Sequence, residues 1–488
     1  MKNFIKIFAL AWLLLFPEAC QKYYPMVPPP VKDVEDDLDE EIGGSAPFFV
    51  TVYGSGTMDG TSWDNAMDAS GLTDLLTNYQ NLSRQPIYVA EGKYVLSNQA
   101  GEGLTITKDL YNVKGGFSAS STNYNTDEWD PVKYPTIFSG DVNGNNRADE
   151  GDCALMKVTS GHVKFEGISF RHGYLSQETA ATLAGQIGAG IYVNGTPLST
   201  SVTVIGCEFK DNVTRANNGT SSAVAGGPCA LVQSGIFKAR NTRFQNNAGY
   251  SGGRGGAVRF NSDNACGFFD RCLFSGNTLD NKFGSAIQLS AGHLCINNTT
   301  FIDNVGECGV INGGGAFLIC NTTVVLDSGD KTDYAFRCES GSGKCTRLIN
   351  NVFMTEKTGG YGINVNHNTP DITTFGGNIF QGIRYGDNND KSTSIFTPAA
   401  TDAVKSVSGS LEGECWVYNP SGVMTNYVTA ANLIEAVKGF APTVSQNFVN
   451  LGQTFFEWVT EPGFKVDYRG QARNIDKLQP GSYDSNIN

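Results

Sequence analysis

Between about residues 160 and 385 two short elements recur along the chain. The first is a small residue followed by an apolar one, then alternation. It appears as Gly190-Ile191-Tyr192-Val193, Ala257-Val258-Arg259-Phe260, Ala286-Ile287-Gln288-Leu289 and Gly362-Ile363-Asn364-Val365. Glycines often precede it, as at Gly252-Gly253 and Gly255-Gly256. The second element ends on Phe209, Phe244, Phe274, Phe301, Val324, Phe353 or Phe380, with Phe170 ahead of the first repeat. Three positions after four of these lies Asn: Asn212, Asn247, Asn277 and Asn304. The intervals run from 23 to 40 residues because insertions fall between the elements, which is how variable loops sit on a solenoid.

Short alternating strands at such intervals predict an all-β fold, a right-handed parallel β-helix. Each coil must lay its inward row on the same row of its neighbours, about 4.8 Å away, so like side chains align in ladders. Phe is expected to stack inside. Asn is expected at a corner, where its side chain bonds turn backbone and tolerates left-handed geometry. Both ladders therefore read as folding devices, corner hydrogen bonding being favoured over a ligand site. No long 3.6-residue apolar period supports helical repeats.

A solenoid has to cover its ends. Phe48-Phe49-Val50-Thr51-Val52 reads as a strand, followed by Trp63 and a helical stretch near 65–79. Trp63 and that helix are expected to plug the first coil as an N-terminal cap. Residues 391–450 lack clear repeats; Cys415-Trp416-Val417-Tyr418 and the amphipathic 430–437 stretch fit an irregular C-terminal cap or an inserted subdomain.

Lys2 and Lys6 flank the start of an apolar run, Phe4 to Phe16, that ends at Pro17-Glu18-Ala19-Cys20. This describes a secretory signal peptide, too short for a comfortable membrane span. Cys20 sits where a lipobox cysteine would be lipidated, though Pro17 and Glu18 depart from that pattern; the alternative is ordinary secretion. Prolines between Tyr23 and Pro30, then the acidic run Asp33 to Glu41, read as an extended tether. The expected organisation is 1–19 signal peptide, 20–46 tether, 47–390 β-helix with its N-terminal cap, and 391–488 cap and closing rung. The expected location is the outer membrane or cell surface, held by lipid.

Composition agrees: 58 Gly, 17% charged residues and a net charge of −13 suit strands and turns and argue against nucleic acid as a partner. Four scattered His and no paired CxxC motif give zinc and Ser-His-Asp chemistry little support. Of twelve Cys, Cys338 and Cys345 fit a short-loop disulfide, whereas Cys207 and Cys272 share a repeat position and read as small buried residues.

The runs "GTSWDNA", "IYVAEGKY", "VKGGFS" and "YPTIFSGDVNGN", with "GGAVRF", "CLFSGN" and the ending from Asp467 to Asp484, resemble bacterial surface β-helix proteins of the pectate-lyase-like superfamily. Polymorphic-outer-membrane-protein-like chains are among them. Ser482 and Asp484 depart from the family's closing pattern. The resemblance spans most of 48–484 and implies the fold. It leaves activity open, because that superfamily includes lyases, hydrolases and adhesins.

Three chemistries are candidates. A hydrolase needs paired carboxylates, yet the expected outward row of the first strand set is Tyr192, Val232, Arg259, Gln288, Ile311, Arg337 and Asn364, with no acid. A polysaccharide lyase needs a cation and a base; Arg243, Arg259 and Arg271 are the catalytic candidates. Arg259 and Arg337 lie three rungs apart, about 14 Å, too far to share one sugar. Arg240, Arg243, Arg254 and Arg259 form the candidate acidic-glycan site; a surface salt-bridged by Asp263 and Asp270 is the favoured alternative. Finally, Asp141, Asn143, Asn145, Asp149 and Asp152 array oxygen donors suited to Ca²⁺, against a polar Asx-turn loop. The expected function is a non-catalytic scaffold binding a glycan or surface protein. The alternatives are a lyase on acidic polysaccharide and a structural subunit of a surface assembly.

Overall fold

The computed structural model describes most of residues 46–405. Residues 1–45, 79–84, 98–102, 120–128, 177–187, 197–198, 216–225, 251–253, 281–283, 307–308, 328, 330–333, 339–345, 356, 366–371, 386–397, 401 and 406–488 lie outside the described residues. The signal peptide, Cys20, the tether up to residue 45, Cys345, the 430–437 stretch and the family-like ending therefore fall outside them.

Strands pair in parallel with the strands one turn earlier and later. Each turn passes through three faces. A first face includes Ile191–Asn194, Val258–Phe260 and Ile287–Leu289; a second, Thr200–Ile205, Ala265–Asp270 and His293–Asn297. The third includes Glu208–Lys210, Arg243–Gln245 and Leu273–Ser275 and contains eleven described strands. Strand Ala230–Arg240 bends from the first face into the second without interruption. A short fourth ladder joins Tyr174–Ser176, Val213–Arg215, Ala248–Tyr250 and Thr278–Leu279. This is a parallel β-helix.

The expected Phe ladder lines the lumen in unbroken register: Phe138, Phe170, Phe209, Phe244, Phe274, Phe301, Val324, Phe353 and Phe380. From Phe170 to Phe301 the rings stack at 4.7, 5.1, 4.4 and 4.6 Å, within 15° of parallel. All are fully buried. Stacked aromatics fill a repeating slot with one ring per turn, so transfer from water and ring–ring contact act together.

The Asn ladder is also present, with one change of role. The amide Nδ2 of Asn212 donates to Asn247 Oδ1 (3.0 Å), Asn247 to Asn277 (2.9 Å) and Asn277 to Asn304 (2.9 Å). The left-handed geometry expected of these residues sits one position earlier, at Asp211, Asn246, Gly276 and Asp303. The other corner repeats the device. Gly206, Asn241, Arg271, Asn298, Asn321 and Asn350 share a column with φ between 48° and 59°, a region that Gly and Asn enter at least cost.

Cys207 and Cys272 occupy the same corner column as Thr242 and Thr299, buried as thiols. Cys338 Sγ lies 3.2 Å from Thr346 Oγ1. At the N-terminal end, helix Ala69–Thr77 starts on an Asp68 cap and puts Leu72, Leu75 and Leu76 into the lumen core. Trp63 does not plug the coil: it sits in a separate cluster against Phe49 (4.9 Å) and Phe117 (5.7 Å). Among the described residues no helix is long and apolar enough to cross a membrane.

Candidate functional site

The register corrects the outward row of the first face. Leu231 and Asn312, not Val232 and Ile311, stand beside Tyr192, Arg259, Gln288, Arg337 and Asn364. Cys229 and Val310 fill the small position of the repeat, so Ala230 and Ile311 take the first inward place and the count moves by one; Val232 and Ile311 belong to the lumen. The corrected row still contains no acid. It is also largely covered: Arg259 is 3% and Asn312 0% exposed. Burial, then the Arg254 charge, pulls the Arg259 pKa down to about 10. Its Nη2 donates to Asn261 Oδ1 at 2.6 Å.

The predicted arginines do not form one patch. Arg240 and Arg271 are buried on either side of Asp270, at 3.5 and 3.1 Å, and Asn297 donates to the same carboxylate at 2.9 Å. Arg271 occupies the left-handed corner column, and its side chain is buried against the adjacent Asp270. Arg254 bridges Gly226. Arg243 lines a described cleft.

That cleft, about 170 Å³, lies on the outer side of the third face. Its polar floor is Ser169, Arg171, Glu208 and Arg243; Pro131, Val132 and Pro135 form an apolar wall. Parallel register stacks Ser169, Glu208 and Arg243 on successive turns. Glu208 Oε2 accepts from Arg171 Nη2 at 2.6 Å and from Ser169 Oγ at 2.8 Å, and Arg243 Nη2 lies 3.5 Å from Oε1. Burial opposes ionisation of Glu208, but the charges of Arg171 and then Arg243 outweigh it and hold the carboxyl below its usual range. The arginine side chains remain 27% and 37% exposed. Two guanidiniums around one carboxylate leave a net positive cleft. Among the described residues no other carboxylate lines it, and none of them makes with Glu208 the acid pair of a glycosidase. Sequence reading found Arg243 but missed Arg171, Ser169 and Glu208; their places directly beside Phe170 and Phe209 in the Phe ladder were the available signal.

The acidic loop has the geometry of the Asx-turn alternative. Asp141 pairs with Lys93 and accepts from the amides of Asn145 (3.0 Å) and Asn146 (2.8 Å). Asp152 accepts from the amides of Val142, Asn143 and Asp149. Asn143 and Asn145 donate to Asp149. Among the described residues no three His, Cys, Asp or Glu side chains converge as a metal-holding group.

No family model and no curated protein sequence matches the chain. Among solved structures, one similar chain is the crystal structure of pectate lyase Pel9A, 12% identical, with a TM-score of 0.35 over 69% of this chain and 80% of that one. The parallel β-helix rests on the strand pairing of this chain, and the likeness adds nothing about activity.

Proposed function

We propose that the chain is a non-catalytic β-helix scaffold that binds an acidic glycan at the Arg171–Glu208–Arg243 cleft. An export signal and lipid on Cys20 would hold it at the outer cell surface. The observation that carries the reading is the exposed Arg243 guanidinium beside Arg171 across a single carboxylate, against an apolar wall. Guanidiniums offer paired donors to sugar carboxylates, and Glu208 holds both in place.

The test is titration calorimetry with oligosaccharides of pectin, alginate and a glycosaminoglycan, beside a neutral glucan. Binding of an acidic oligosaccharide, weakened about 10-fold by Arg243→Ala, supports the reading; a charged hydrogen bond is worth about 1.5–3 kcal/mol. Loss of the interaction at high salt is also expected. Ultraviolet-absorbing unsaturated product would instead establish a lyase. Equal binding by wild type and Arg243→Ala would move the site elsewhere.

A further inference from the structure

The Arg171–Glu208–Arg243 cleft is closed at one end. The outward column of the third face that carries its floor runs Lys93, Ile137, Ser169, Glu208, Arg243 and Leu273, one residue per turn. Before Ser169 the column is open, because Ile137 and Lys93 are only half-buried. After Arg243 it is shut off from solvent: Leu273 is 1% exposed and Thr300, one turn further, 0%. The neighbouring outward column changes at the same turn. Arg171, Lys210 and Gln245 are partly exposed, whereas Ser275 and Ile302 after them are buried. Pro131, Val132 and Pro135 bound another flank.

Size and charge set what fits. A cavity of about 150 Å³ takes one benzene ring, and common ligand pockets start at about 300 Å³. This cleft, about 170 Å³, has room for one six-membered ring. Its cations also mark one place. Arg171 and Arg243 converge on a single carboxylate, at 2.6 and 3.5 Å, and so define one anionic position, not the repeating positions of a polymer. Beyond that ion pair the Arg243 guanidinium makes no hydrogen bond among the described residues. A guanidinium carries five N–H donors, so Arg243 can take a second carboxylate beside Glu208.

We infer, on the acidic-glycan reading of this cleft, that it takes the end of a chain. One terminal acidic sugar enters towards Arg243, with its carboxylate on the two guanidiniums and its apolar ring face on the proline wall. The rest of the chain leaves past Ile137. Chain interiors are excluded, since a glycan running on beyond Arg243 would have to cross the closed column at Leu273 and Thr300. Lys210 lies outward, two positions on from Glu208, and serves the second sugar at most.

Stoichiometry separates a reader of ends from a groove. Polygalacturonate and polymannuronate, each in two lengths differing by about four-fold, are titrated with the folded protein, and protein bound per polymer chain is counted by analytical ultracentrifugation. A glycan has direction, so one of its two ends fits and one protein per chain is expected at both lengths. The Kd of oligomers from dimer to hexamer should agree within about 3-fold. Bound protein that rises in proportion to chain length, or a Kd tightening about 10-fold or more from dimer to hexamer, overturns the inference and leaves the acidic-glycan reading standing. Failure of every monomer, oligomer and polymer to bind overturns both. Arg243→Ala should weaken dimer binding about 10-fold, and Arg243→Lys, which keeps the charge without the fork, should weaken it less. Both variants are first checked for a wild-type melting temperature. End binding that is unchanged in a folded Arg243→Ala protein also overturns the inference, because the end would then sit elsewhere.

Discussion

Asn277→Ala tests whether the corner ladder stabilises the coil. Asn277 is fully buried. Its Oδ1 accepts from the Asn247 backbone amide at 3.2 Å and from Asn247 Nδ2 at 2.9 Å. Its Nδ2 donates to the Phe244 carbonyl at 2.8 Å and to Asn304 Oδ1 at 2.9 Å. Asn247 Nδ2 keeps its bonds to Phe209 and Gln245, and Asn304 Oδ1 keeps the Asn277 amide. Alanine therefore orphans one buried group outright, the Asn247 N–H; the Phe244 C=O loses a second donor but stays within the parallel ladder to Leu273–Ser275. At about 1–3 kcal/mol for the orphaned group, with the lost amide–amide bonds beside it, the expected destabilisation is about 2–3 kcal/mol. Urea unfolding followed by circular dichroism gives the midpoint shift, converted through the measured m-value. A solenoid can melt in parts, so hydrogen exchange at the turns bearing Asn247 and Asn277 should show the loss centred there. Exposed Thr105→Ala is the control, expected within about 0.5 kcal/mol of wild type. A cost for Asn277→Ala below about 1 kcal/mol would refute the view that the amide column satisfies corner backbone.

Phe274→Ala removes a ring stacked on both sides, at 4.4 and 4.6 Å; calorimetry should report a loss of about 3–5 kcal/mol, more than for Phe380→Ala near the described end. Cys272→Thr should cost less than about 1 kcal/mol in urea, because adjacent turns already place Thr242 and Thr299 in that column. For Glu208, the folded pKa lies below the unfolded value of 4.5. Its contribution is thus fully present above pH 4.5 and is lost as pH falls through the folded value. Melting temperatures measured from pH 6 to 3 should fall more steeply for wild type than for Glu208→Gln; parallel curves would exclude this linkage.

Much of the coil is legible in the chain because its period is local. Phe170, Phe209, Phe244, Phe274 and Phe301 announce a lumen column, and Asn212, Asn247, Asn277 and Asn304 announce a corner, since each turn must match the next. Register was less legible where the spacing breaks. Val232 and Ile311 read as outward when Ala230 and Gly309 are taken as the small residue of the repeat, whereas Cys229 and Val310 hold that place, and one residue reverses a strand's faces. The change from alternating "HVKFEGISFR" to near-continuous "FLICNTTVVLD" was visible too, and residues 317–326 of the latter are buried throughout.

The candidate site needed three dimensions. Arg171, Glu208 and Arg243 lie on three consecutive turns, 37 and 35 residues apart, and only lateral pairing of those turns makes one cleft of them. The same pairing sends Arg240 and Arg271 onto Asp270 and covers Arg259. The sequence by itself determined the parallel β-helix and its ladders, because stacking identical slots is a one-dimensional rule that repeats along the chain. Which charges are spent inside ion pairs and which face open water was decided by the tertiary structure, because that depends on what lies over each face.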